Sequence, residues 1–200
     1  MMIAHGASVT LDSIYGKLSL PFYQRWRQRI GALSFVSVPF VSVPLVSVII
    51  PCYNAATTLP CALRSLLAQS WRNLEIWVAD DASTDDSAAV VGAFAAQDKR
   101  VKLLRLTQNS GAYAARNLAL AQAKGHFITC HDADDWSHPE KIARQVHALQ
   151  QHPEAMASVS HWVRCDARLE FQRWRAEDAW VHRNVSSLLF RRQVRDRLGY

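Results

Sequence analysis

From Val46 to Gln151 short apolar runs alternate with longer amphipathic stretches, and this alternation restricts the fold more than any other feature of the chain. Val46–Ile50 is mostly β-branched and bounded by Pro51, the pattern of a strand buried on both faces. Leu59, Leu63, Leu66 and Leu67 then recur at helical spacing, with Thr58 as the expected N-cap and Pro60 in the first turn, where its missing N–H is harmless. Leu74–Ala79 predicts a second strand, Ser83–Asp86 a cap for a helix reaching about Gln97, and Val101–Leu106 a third strand. The spacing next predicts a helix over Ala112–Ala123 closed by Gly125 at C′, a strand over His126–Cys130, and a helix opened by Pro139 and running to about Gln151. Strands separated by helices of this length join through right-handed crossovers. The expected class is therefore α/β, a mostly parallel sheet flanked by helices. Past residue 155 the rhythm weakens: 157–163, 168–172 and 185–190 are strand-like and 193–198 begins a helix, which predicts an incomplete, mixed C-terminal half.

The segment before Val46 has another character. Residues 36–48 read VSVPF VSVPL VSV, and Pro39 and Pro44 cannot donate to a central ladder, so residues 1–45 are expected to be an N-terminal extension ending in a Val-Ser-Val-Pro linker. Residues 46–151 then form one half of a domain and 152–200 a partial second half. The stretch Phe35–Cys52 is interrupted by Ser37, Pro39, Ser42, Pro44 and Ser47 and does not predict a membrane span, and Met1–Leu20 lacks the order of a signal peptide. The net charge of +6 is uneven: residues 1–45 hold four Lys/Arg against Asp12 alone, and 161–200 hold nine Arg against five acids. Two readings of this excess stay open, a solvated face and a peripheral contact with anionic lipid; Leu18–Leu33, basic and aromatic, suits either a helix on a membrane or one packed on a neighbour. Cys52, Cys61, Cys130 and Cys165 form no CxxC pair, so reduced thiols in a cytoplasmic protein are expected.

In a parallel sheet, ligands bind outside the carboxyl ends of the strands. Three of the predicted strands end in polar groups: Pro51-Cys52-Tyr53-Asn54, Asp80-Asp81-Ala82-Ser83, and Asp132-Ala133-Asp134-Asp135. Each cluster alone could merely cap the next helix. Together, five carboxylates at one edge repel one another and call for a cation, and hard oxygen ligands select Mg²⁺ or Mn²⁺. An EF-hand is excluded because Trp136 stands at the third ligand position and no glycine follows at the sixth. A phosphate-accepting receiver domain is disfavoured because its acidic pair closes the first strand, whereas Asp80-Asp81 closes the second.

These motifs carry a resemblance. Val46-Ser47-Val48-Ile49-Ile50-Pro51-Cys52-Tyr53-Asn54, then Trp77 to Asp85, then Asn109-Ser110-Gly111 through Ala115-Arg116-Asn117, then Asp132 to Asp135, resemble in order and interval the family 2 glycosyltransferases of the GT-A fold, over residues 46 to about 198. The resemblance implies a metal-binding DxD motif at Asp132 and Asp134 with Asp135 adjacent, a nucleotide base held by Asp81 near Tyr53, and Pro51, Asn54 and Asp80 in the same site. A carboxylate accepts the imide N–H of uracil, which would favour a uridine nucleotide. Arg116 suits a bidentate phosphate contact, or a surface position on its helix. Ser186–Arg192 resembles a later stretch on the acceptor side. The implied activity is inverting glycosyl transfer from a nucleotide-diphosphate sugar to a saccharide or lipid-linked acceptor in cell-surface polysaccharide synthesis. That activity would lie in the cytoplasm or at the inner membrane face, with no nucleic-acid partner. The general base of such enzymes usually lies in an acidic ED motif, expected here beyond Tyr200, with Asp178 of Glu177-Asp178 as a weak substitute. A non-catalytic sugar-nucleotide-binding module is the competing reading.

Overall fold

The sheet is built outward from a strand that neither face of the molecule exposes. β1 (Val46–Cys52) is buried along its whole length and pairs in parallel with β2 (Leu74–Asp80) on one side and β4 (Phe127–Cys130) on the other. The structure is a computed structural model and describes residues 43–166, 170–172, 182–183 and 187–198. The expected N-terminal extension therefore lies outside the described residues up to position 42, as do residues 167–169 and the Glu177-Asp178 pair.

Helix α1 (Leu59–Leu67) follows β1, α2 (Ser87–Gln97) follows β2, and β3 (Val101–Arg105) adds to the outer side of β2. The chain then crosses through α3 (Ala112–Gln122) to place β4 on the other flank of β1, and α4 (Lys141–Gln151) leads away from it. Short strands β5 (Ala157–Ser158), β6 (His161–Trp162), β7 (Arg164–Cys165), β8 (Phe171–Gln172) and β9 (His182–Arg183) follow. They pair as β6 with β9 and β7 with β8, outside the main sheet, while β5 joins its edge. β10 (Leu189–Arg191) returns to β4 and runs antiparallel to it before α5 (Arg192–Leu198). The order across the main sheet is β3-β2-β1-β4-β10-β5. The predicted parallel half and the mixed remainder are both present.

Strand periodicity sorts β1 into two cores. Val46, Val48 and Ile50 pack with Leu59, Leu63 and Leu66 of α1, Val91 of α2 and Ile142, Val146 and Leu149 of α4. Ile49 faces the other way, onto Ala115, Ala119 and Leu120 of α3 and Ile128 and Phe190. Each large side chain so buried contributes about 1.5–3 kcal/mol. The alanines of α3 let that helix lie close to the strands.

Local chemistry departs from expectation at three places. Thr58 makes no capping bond: its own backbone is helical, and its hydroxyl donates to the Ala55 carbonyl at 3.3 Å. Gly125 does not close α3, which ends at Gln122 with Ala123 already extended. What requires glycine there is close approach, since a Cβ would lie 2.6 Å from the Phe127 carbonyl oxygen and from the Ser47 backbone nitrogen and Oγ. Pro139 stands ahead of α4 rather than in it, where its carbonyl accepts the Ser70 N–H at 2.8 Å.

Candidate functional site

The strand order reverses direction between β1 and β4: β2 and β3 lie on one side of β1, and the chain resumes on the other. At such a switch point the crossovers leave in opposite directions and a crevice opens beyond the strand ends. A cavity of about 430 Å³ lies there, and Pro51, Tyr53, Asn54, Asp81, Arg116, Asp132 and Asp134 are among the residues lining it. Asp80 and Asp135 are not among them.

Asp80 and Asp81 are adjacent in sequence and differ in task because successive strand side chains point to opposite faces. Asp80 is fully buried; its carboxylate accepts from Arg105 Nε at 3.1 Å and from the Ser83 N–H at 3.2 Å, tying β2 to β3 and to its own loop. Asp81 reaches the loop before α3 instead, where its two oxygens accept the Ser110 N–H at 2.8 Å and the Gly111 N–H at 2.7 Å. Each of those oxygens keeps a second lone pair. Gly111 has φ +89°, the left-handed region open to glycine, and this turn presents both N–H groups to one carboxylate.

Asn54 fastens the β1 loop to the β2 loop. Its φ is +48°, its N–H donates to Ser83 Oγ at 2.9 Å, and its side-chain oxygen accepts the Thr84 N–H at 2.9 Å. Beside it Tyr53 is 51% exposed, leaving its ring available at the cavity wall. Cys52 also lines the cavity, but burial pushes its thiol above the ordinary range, so it stays protonated and is no nucleophile.

Arg116 comes from the second turn of α3 and donates from Nη2 to Asp132 Oδ1 at 2.9 Å. Its guanidinium also lies 5.5 Å from the Tyr113 ring centre. Ala112, the first residue of α3, lines the cavity, so the N–H groups of that first turn and the positive end of the helix lie at the wall. Asp134 is exposed. Burial of its carboxyl, with Asp132 and Asp134 beside it, pushes Asp135 up to about 6.

The five carboxylates are thus not one pooled charge: Asp80, Asp81 and Asp132 each have protein donors. Among the described residues no three acid, histidine or cysteine side chains converge to enclose a metal ion. Asp132 and Asp134 nevertheless both face the cavity, and two carboxylates with open positions suit Mg²⁺ or Mn²⁺, which keep other oxygen ligands.

Two neighbours of this group were not singled out from sequence. His131 is 2% exposed and its Nδ1 lies 2.9 Å from the Asp132 carbonyl, which can only accept, so Nδ1 carries the proton. Burial, with Lys141 nearby, pulls its pKa down to about 3, and it is neutral at physiological pH. Lys141 is lowered by burial despite the pull of Asp135 and Asp132. A histidine ending an otherwise apolar strand run was the available signal for the first; nothing local marked the second.

The later segment packs along β4. Leu189 pairs with Thr129, which sets Ser187 and Leu188 beside the C-terminal end of β4, and Thr129 Oγ1 donates to the Leu188 carbonyl at 2.9 Å. Cys52 and Cys130 are buried thiols in no disulfide, as expected of strand residues, whereas Cys61 and Cys165 are exposed. No described helix is long and apolar enough to cross a membrane.

The family model described as Glycosyl transferase family 2 matches residues 47–197. A relative in Escherichia coli, UDP-Glc:alpha-D-GlcNAc-diphosphoundecaprenol beta-1,3-glucosyltransferase WfaP, is 34% identical over 119 residues, 60% of this chain and 47% of WfaP. The chain spans about half or less of the length of the curated relatives it matches. Among solved structures, S. aureus TarS 1-349 in complex with UDP-GlcNAc superposes with TM-score 0.57 at 24% identity, over 76% of this chain and 48% of that one. The mannosyltransferase PcManGT from Pyrobaculum calidifontis, in complex with GDP-Man and Mn²⁺, superposes with TM-score 0.61 at 24% identity, over 89% of this chain and 53% of that one. Both share the fold.

Proposed function

Since the chain belongs to glycosyl transferase family 2, we propose that the cavity at the β1–β4 switch point is the donor site of an inverting glycosyltransferase that uses a uridine-diphosphate sugar. The observation that carries the reading is the convergence of Tyr53, Asp81, Arg116, Asp132 and Asp134, from three separate strand ends and a helix, on one cavity. Tyr53 offers a ring for the base to stack on, and the remaining lone pairs of Asp81 suit the imide N–H of uracil. Pro51 and Asn54 hold the wall that carries Tyr53. Asp80 contributes from behind the site, by fixing the strand that aims Asp81.

A divalent ion, Mg²⁺ or Mn²⁺, held by Asp132 and Asp134 would neutralise charge growing on the departing diphosphate. Asp135 supports it from outside the cavity lining. Arg116 exchanges its pairing with Asp132 for a phosphate oxygen when the diphosphate arrives, and the first turn of α3 adds N–H donors. In the transfer, an acceptor hydroxyl oxygen bonds to the anomeric carbon as the carbon–phosphate oxygen bond breaks. The bonding pair leaves with the nucleoside diphosphate, and the hydroxyl proton passes to a general base outside the described residues.

The acceptor is proposed to be a lipid-linked saccharide of cell-surface polysaccharide synthesis, the class named for WfaP, which would bring the protein to the inner membrane face. Calorimetry with UDP tests the donor reading: affinity is expected to depend on Mn²⁺ and to fall in Asp134→Ala. Equal affinity with Mn²⁺ and with chelator overturns it. A non-catalytic nucleotide-binding module would bind UDP in the same way; the two readings separate on whether the reading frame continues past the codon for Tyr200 into an ED-containing segment.

A further inference from the structure

Residues 131–140 join β4 to α4 and carry Asp132, Asp134 and Asp135. The loop is fastened at both ends. At its start the His131 N–H donates to the Ile49 carbonyl of β1 at 2.9 Å. At its far end the ties run to α1 and the residues just after it: the Ser137 N–H donates to Ser65 Oγ at 3.2 Å, and the Ser70 N–H donates to the Pro139 carbonyl at 2.8 Å. Between these ties Asp134, Asp135 and Trp136 are exposed, so the course of the acids is set from the ends.

Gln69 joins the far ties into one. Its side chain is fully buried, and both ends of its amide are used. Nε2 donates to the His138 carbonyl at 2.8 Å and, at 3.3 Å and 3.4 Å, to the Ser65 and Ser137 carbonyls, while Oε1 accepts the Ile142 N–H at 3.1 Å. The His138 carbonyl also accepts the Lys141 N–H at 2.9 Å, so the same amide holds the end of the acid loop and the first turn of α4. The task needs a donor and an acceptor on one group. A carboxylate would turn lone pairs towards carbonyl oxygens, and an aliphatic side chain would leave buried carbonyls without their donor.

We propose that Gln69 is a positioning residue for the acid loop: by fixing Ser137 and His138 against the end of α1, it sets the placement of Asp132 and Asp134 that a divalent ion requires. Gln69 itself does not line the donor cavity. The proposal rests on the donor-site reading, because only there do those two carboxylates share an ion. Mg²⁺ holds oxygens at about 2.0–2.1 Å in near-octahedral order, and a loop displaced by about 1 Å no longer offers that geometry.

The test is calorimetry on the 200-residue chain with UDP, in Mn²⁺ and in chelator, and with uridine as a probe that lacks phosphate. The ratio of UDP affinity in Mn²⁺ to that in chelator is expected to fall about tenfold in Gln69→Met, which keeps the volume, and further in Gln69→Glu, with uridine affinity unchanged in both. Leu149→Ala, in the core beneath α4, controls for lost stability alone: its unfolding midpoint falls and its ratio stays that of wild type. A Gln69→Met chain that behaves like Leu149→Ala overturns the proposal. Should neither Gln69 variant fold, Ser65→Ala decides, since it removes the Ser137 tie from the same loop; a ratio lowered about threefold supports the positioning role and an unchanged ratio overturns it. Equal UDP affinity in Mn²⁺ and in chelator for wild type overturns the donor-site reading and this proposal with it. A wild type that depends on Mn²⁺ beside a Gln69→Met that depends on it equally overturns the positioning role alone, so the two failures are distinguishable.

Discussion

Glu75 at one edge of the sheet and Asp132 at the other are held in opposite ways. At the N-terminal edge the Glu75 carboxylate accepts from Ser47 Oγ at 2.7 Å, the Lys124 N–H at 2.6 Å and Lys102 Nζ at 2.8 Å, and its side chain is 6% exposed. Ser47 Oγ accepts in turn from the Gly125 N–H at 2.8 Å, so β1, β2, β3 and the approach to β4 are joined through one carboxylate. At the C-terminal edge the Asp132 side chain is 37% exposed, has Arg116 as its ion-pair partner, and stands two residues from the exposed Asp134. Complete satisfaction with no opening to solvent is the arrangement of a structural charge. Partial satisfaction at a cavity leaves interaction energy for a ligand to collect.

If that contrast is sound, substitutions at the two edges separate stability from binding. The largest effect is expected from Glu75→Ala, which takes the shared acceptor from Ser47 Oγ, the Lys124 N–H and Lys102 Nζ and should cost about 3 kcal/mol in denaturant unfolding, with UDP affinity unchanged in the folded fraction. Asp134→Ala is expected to do the reverse, lowering Mn²⁺-dependent UDP affinity on the order of a hundredfold by calorimetry while the melting temperature stays put. A stability loss in Asp134→Ala as large as that in Glu75→Ala would erase the distinction.

Gly125→Ala comes next. The added Cβ must displace backbone atoms of Phe127 and Ser47, at about 1–3 kcal/mol in the same unfolding experiment. The smallest effect concerns pH. Burial alone would raise the Glu75 carboxyl, but bonds from Lys102, Ser47 and Lys124 outweigh it and hold it below its ordinary value of 4.5. A depressed folded value means that its stabilisation is full above the unfolded value and fades as pH falls through the folded one. The slope of stability below about pH 5 should therefore flatten in Glu75→Gln relative to wild type.

The C-terminal edge was legible from residue order, whereas Glu75 at the other edge was not singled out. β1, β2 and β4 were readable because strands buried on both faces are continuous apolar runs, and the polar residues after them had to lie at one edge once the sheet was parallel. What sequence did not separate was the task of each acid. Asp80 and Asp81 look equivalent until the pleat turns one to Arg105 and the other to Gly111. Pairing of Arg116 with Asp132 depends on where α3 packs against the sheet, which no local pattern encodes. Gly125 was read as a helix terminator because close approach of Ser47, 78 residues earlier, leaves no mark nearby. β10 looked like a strand, but its antiparallel place beside β4 follows from long-range pairing alone.

That late strand has a consequence for synthesis on the ribosome. Every strand end that contributes to the donor cavity has been translated by Asp134, yet β4 keeps an unpaired edge until Leu189–Arg191 arrive to cover it. For the intervening stretch the nascent chain holds its nucleotide-binding elements beside a naked row of amide groups, a template for mispairing with other chains. Shortening the interval between β4 and β10 would narrow that window, and a stalled or cleaved product ending before residue 189 would be the form of this protein most prone to aggregate.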